Sequence, residues 1–78
     1  MKIANNENLK KILEETFPLE KIPNNIENLK MGDFNSWDSL GNFNFLLALE
    51  KFFEIRFSYK EIVQIRSVDQ AIKCINER

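Results

Sequence analysis

Apolar residues recur at helical spacing in four stretches of this chain, and turn signals separate them. Leu9, Ile12, Leu13 and Phe17 repeat at intervals of three or four, which predicts a first helix from about Ile3 or Asn6 to Thr16. Pro18 stops it. Glu14 and Glu15 against Lys10 and Lys11 read as a solvated face with modest i,i+4 support. From Pro18 to Asp38 the period breaks. Pro23-Asn24-Asn25 and Gly32-Asp33 are turn signals, while Ile22, Ile26, Leu29, Met31, Phe34 and Trp37 recur without a strict repeat. A connection of about 20 residues is long for a small domain. Those apolar side chains predict an ordered crossover pinned across the helices rather than a free linker.

The second helix is predicted from about Ser39 to Phe53 or Glu54. Asp38 is the leading N-cap, with Ser36 and Ser39 competing for that role. Phe45, Leu49, Phe52 and Phe53 form one stripe, the natural core face. Leu40, Phe43 and Leu47 form a second stripe, with Phe43 nearly opposite Phe45. A helix apolar on two faces is buried on both or keeps one for a partner, and in so small a domain we favour the partner. Gly41, Asn42 and Asn44 fall at its polar positions, and Trp37 reads as a lid over the helix junction.

Two capping boxes follow. Ser58-Tyr59-Lys60-Glu61 opens a short third helix carrying Ile62, Val63 and Ile65, and Ser67-Val68-Asp69-Gln70 opens a fourth that ends near Asn76. Both serines thereby acquire structural roles. No alternating run has a pairing partner, so no strand is predicted. The expected fold is all-α: one domain over residues 1–78, a four-helix bundle with a long first connection and a short third helix.

Composition narrows the function. The 78 residues hold 44% hydrophobic residues with seven Phe, enough for one modest core. The formal net charge is −1, and Lys and Arg are interleaved with Glu, so no basic field for nucleic acid is expected. Histidine is absent and Cys74 is the single cysteine. A Cys/His metal site, a Cys–His pair and a Ser–His–Asp triad are therefore excluded. Cys74 sits among Val68, Ala71, Ile72 and Ile75 and reads as a small core residue. The start, Met1 to Asn6, turns polar at once, and no apolar run approaches the ~20 residues of a membrane span. A cytoplasmic monomer without catalytic residues or metal is expected.

Trp37-Asp38-Ser39-Leu40-Gly41 then stands out. It sets a serine beside an acid at a helix N-terminus, where unpaired N–H groups and partial positive charge suit a phosphate. Asp38-Ser39-Leu40, followed by Ala48-Leu49-Glu50 and Phe53, then Ile55-Arg56-Phe57-Ser58, Glu61, Ile65, Ser67-Val68 and Ala71-Ile72, resembles the acyl carrier protein family. The similarity runs without a gap from Trp37 to about Ile75, while the first helix and loop fit more loosely. The resemblance implies that Ser39 carries 4′-phosphopantetheine, attached from coenzyme A by a phosphopantetheinyl transferase. The arm's thiol then holds acyl groups as thioesters for acyl-loading and acyl-using enzymes. It implies that Asp38 supports the transfer, alongside its reading as an N-cap, and that Leu40, Phe43 and Leu47 meet partners.

The departures are informative. Carriers of primary fatty-acid synthesis typically bear acids along the second helix, whereas Ser39 through Leu49 here contains no charged residue. The Trp-Asp-Ser-Leu-Gly-Asn form looks more like specialised carriers of dedicated pathways. Partners are therefore expected to dock by apolar and amide contacts with little electrostatic steering, so that association depends weakly on salt. Phe45, Phe52, Phe53 and Phe57 are bulky enough to fill space that a long acyl chain would need, so a short or polar cargo is expected. An aminoacyl or peptidyl carrier keeps the same fold and cofactor. A small helical interaction module, with Ser39 only at a helix start and no prosthetic group, is the alternative of another class.

Overall fold

Helix accounts for all the regular structure of residues 3–78, which the computed structural model describes. In chain order these are α1 (Asn6–Thr16), α2 (Ser39–Phe53), α3 (Tyr59–Gln64) and α4 (Val68–Asn76). No strand occurs among the described residues, and the all-α class predicted from the spacing holds. Met1 and Lys2, part of the polar start, lie outside the described residues.

The first helix begins on a reciprocal cap. The Asn5 side chain accepts from the Asn8 N–H at 3.0 Å, and the Asn8 side chain accepts from the Asn5 N–H at 3.0 Å. Two of the orphan donors at the helix start are satisfied in this way. Leu9, Ile12 and Leu13 form the buried face of α1, which packs on α2. At the other end of the chain, the Asn76 amide of α4 clasps Ala4. It accepts from the Ala4 N–H and donates to the Ala4 carbonyl, both at 2.9 Å.

The long connection is ordered, as its apolar anchors predict. Ile22, Ile26 and Trp37 are buried, and Leu29, Met31 and Phe34 pack against the core. Its backbone groups also find partners, which a packed loop requires. The Met31 N–H donates to the Arg66 carbonyl at 2.7 Å, and the Val68 N–H donates to the Leu29 carbonyl at 3.0 Å. This short antiparallel bridge ties the loop to the start of α4. Glu20 accepts from the Ser36 N–H at 3.2 Å and from its hydroxyl at 2.7 Å. Asp33 accepts from the Lys30 N–H, and this bond first, then the Lys30 ammonium, holds its carboxyl below the ordinary range. Gly32 has φ of +100°, a backbone region open to glycine, and donates its N–H to the Trp37 carbonyl.

Trp37 corrects the lid reading. Its side chain is fully buried at the centre of an aromatic cluster, with ring centroids 5.5 Å from Phe17, 6.2 Å from Phe34 and 5.3 Å from Phe45. The edge-on contact with Phe45 is a favoured aromatic geometry. The polar assignment of Gly41 and Asn42 also changes, because both are buried. Asn42 accepts from the Trp37 indole N–H at 3.0 Å and donates to the Ile65 carbonyl at 2.9 Å. A polar side chain can enter a core when its bonds are satisfied, and here it joins α2 to the end of α3.

The core face of α2 comprises Phe45, Leu46, Leu49 and Phe53, with Phe52 half-buried at its edge. Glu54 ends the helix in the left-handed conformation at φ 56°. The Ser58–Glu61 box is complete, with bonds of 2.8 and 3.1 Å. The second box forms differently. Ser67 accepts from the Gln70 N–H at 3.1 Å, but Gln70 reaches past Ser67 to take the Arg66 N–H at 2.8 Å.

Candidate functional site

Ser39 is the first residue of α2, and its side chain is exposed. Asp38 takes the N-cap, accepting from the Gly41 N–H at 2.8 Å, which resolves the competition with Ser36 and Ser39. The first turn also approaches the loop closely. A Cβ at Gly41 would overlap the Ser36 carbonyl oxygen and sit 3.0 Å from the Phe17 ring. Glycine is therefore required for the loop to cross directly beneath the helix start.

The four serines differ in what they bond. Ser36 donates to Glu20, while Ser58 and Ser67 each accept a helix N–H. Ser39 Oγ has no hydrogen-bond partner among the described residues. Without a bonded base, a serine hydroxyl is a weak nucleophile. Its availability instead suits modification by another protein's catalytic groups.

Ser39 borders a shallow hollow of about 140 Å³, shared with Met31, Asn42, Ile62, Val63 and Arg66. Ligand pockets run about 300–1,000 Å³, so this hollow is too small to enclose a long chain. A larger hollow of about 390 Å³ lies between α1 and α2, lined by Ile12, Glu15, Ala48, Lys51, Phe52 and Glu54. The phenylalanines read as cargo-excluding are mostly internal: Phe45, Phe53 and Phe57 are buried, and Phe52 stands edge-on to Phe53 at 4.9 Å.

The second stripe of α2 faces outward. Leu40 is 69% exposed, Phe43 45% and Leu47 46%, and Val63 on α3 is 43% exposed. The Ser39 hollow joins the start of α2 to the C-terminal half of α3, so Val63 and Arg66 lie beside the residue that precedes Leu40. Arg66 folds back on α3, donating Nε–H to the Val63 carbonyl at 3.3 Å. The α2 sequence is uncharged near Ser39, but the site is not, because Asp38 caps the helix and Arg66 lines the hollow.

Cys74 stands away from this region and is only partly buried, which amends its reading as a core residue. Its thiol donates to Glu61 at 3.0 Å. Burial, then Glu61, pushes the thiol up to about 11, while the bond from Cys74, then the Ser58 N–H, lowers Glu61. The thiol stays protonated near neutrality and is correspondingly unreactive. No group of three or more His, Cys, Asp or Glu among the described residues is placed to hold a metal ion. No described helix is long and apolar enough to cross a membrane.

No protein-family model, no curated protein and no solved structure matches the chain. Asp38 and Ser39 stand at the N-terminal end of α2, and Leu40, Phe43 and Leu47 are exposed along its first turns. Sequence reasoning missed Gly41, Asn42 and Arg66. The glycine's approach to the Ser36 carbonyl and Phe17 ring, and the Asn42 bridge from Trp37 to Ile65, depend on how the loop and α3 fold back on α2.

Proposed function

We propose that this protein is a carrier of acyl groups, with 4′-phosphopantetheine attached to Ser39 on an acyl-carrier-like four-helix bundle. The observation that carries this reading is the uncommitted, exposed Ser39 hydroxyl at the N-terminus of α2, in a chain whose other serines are engaged. Its surroundings fit a phosphodiester. The helix start favours negative charge, and the hydroxyl stands clear of the core. The sequence resemblance through Asp38-Ser39-Leu40 supports the same assignment.

In attachment, Ser39 Oγ forms a bond to the coenzyme A phosphorus that bears pantetheine. The bridging P–O bond of the pyrophosphate breaks, adenosine 3′,5′-bisphosphate leaves, and the serine proton passes to a base of the transferase. Asp38 keeps the first turn of α2 in place through its bond to the Gly41 N–H. Once attached, the arm supplies a terminal thiol that holds acyl groups as thioesters. The chain itself provides the tether point and a surface for acyl-loading and acyl-using enzymes, and a flexible tether raises the local concentration of cargo at a docked partner.

Incubation with coenzyme A and a broad-specificity phosphopantetheinyl transferase adds one arm by intact mass, and Ser39→Ala abolishes the addition. A folded wild-type chain that stays unmodified contradicts the proposal and favours an interaction module. With the core filled by phenylalanine, cargo remains outside it. A long saturated acyl chain on the arm is then expected to raise the Tm no further than the bare arm does. An aminoacyl or peptidyl cargo meets the same geometry.

A further inference from the structure

The exposed apolar stripe of α2 ends at Ser39, and the cations beside it lack acidic partners. Between residues 39 and 66 the charged side chains are Glu50, Lys51, Glu54, Arg56, Lys60, Glu61 and Arg66. Two of the acids are turned to internal duties. Glu50 accepts from the Phe57 N–H at 2.7 Å, and Glu61 is held by the Ser58 N–H, the Cys74 thiol and the Arg78 guanidinium. Asp38, the acid beside Ser39, has one carboxylate oxygen on the Gly41 N–H.

Lys60 and Arg66, by contrast, form no ion pair among the described residues and are exposed. Lys60 lies one turn before Val63 on α3, and Arg66 shares the hollow with Ser39 and Val63. Lys51 continues the line of Leu40, Phe43 and Leu47, although it shares the α1–α2 hollow with Glu15 and Glu54. Lys60 and Arg66 are therefore the unpaired cations that α3 and its C-terminal flank carry.

We propose that the α2–α3 face docks a protein surface that is apolar at its centre and acidic on the flank opposing α3. Leu40, Phe43, Leu47 and Val63 supply the apolar contact, and Lys60 and Arg66 select carboxylates over cations. Opposite charges across an interface set partner choice and encounter rate. This proposal departs from the weak steering expected from the uncharged run Ser39 to Leu49, and the salt dependence below decides between them. An anionic membrane fits less well, because a short apolar stripe with so few cations falls short of the signals that stable membrane anchoring takes.

The inference extends the carrier reading without needing the arm, so its test uses the Ser39→Ala protein. Two synthetic amphipathic helices serve as probes, both leucine-faced, one flanked by glutamate and the other by lysine. The glutamate helix is expected to shift the amide resonances of Leu40, Phe43, Leu47 and Val63 and to bind about five- to tenfold more tightly than the lysine helix. That preference should fade at about 1 M salt, where the Debye length is about 3 Å. It should reverse in the folded K60E/R66E protein. Equal binding of the two helices, shifts confined to another face, or tighter binding to anionic lipid vesicles would each overturn the proposal. Because no arm is involved, failure here leaves Ser39 modification standing, and failure of modification leaves this docking result standing.

Discussion

Trp37, Gly41 and Asn42 face inward at the start of α2, while Ser39, Leu40 and Phe43 face outward from the same turns. The inner three are fixed by specific partners in the loop, in α1's C-cap, in α2 and after α3: the Ser36 carbonyl, the Phe17 and Phe45 rings and the Ile65 carbonyl. Of the outer three, Ser39 is exposed, Phe43 is 45% exposed and Leu40 is more than two-thirds exposed. One short segment thus divides into an anchor and a presented surface. The anchor holds the position of the serine, and the free side leaves it accessible.

Substitutions on the two sides should separate accordingly. Trp37→Ala empties the centre of the aromatic cluster and removes the donor to Asn42, so a loss of about 3–5 kcal/mol is expected by urea titration. A loss below 1 kcal/mol would break the distinction. Gly41→Ala sharpens it through its sign. At an ordinary helix position this change stabilises by up to about 1 kcal/mol. Here the new methyl meets a backbone oxygen, and a destabilisation of about 1–3 kcal/mol is expected in the same titration. Leu40→Ala is the smallest effect, within about 0.5 kcal/mol by thermal or chemical unfolding.

The inner and outer sides were unequally legible in the sequence. Helical periodicity marks Leu9, Ile12, Leu13, Phe45 and Leu49 as core because a local repeat is enough to orient them. The same repeat finds the outward stripe of Leu40, Phe43 and Leu47. It misplaces Gly41 and Asn42 because residue type alone does not show which atoms approach from elsewhere. The Asn5–Asn8 cap carries no familiar sequence mark, because Asn stands where Glu or Gln marks the usual box. A lid reading finds the right junction for Trp37 but puts the ring outside it, whereas the ring sits at its centre. Arg66 gains its place beside Ser39 only when the loop bridge and α3 bring residues 31, 39 and 66 together.

The attachment site admits the most direct measurement. The folded chain is incubated with coenzyme A and a transferase, digested, and fragmented to locate the added phosphopantetheine among its serines. The mass is predicted on Ser39 alone, with Ser36, Ser58 and Ser67 unmodified. An arm on another serine, or none on a chain verified as folded, would contradict the carrier assignment.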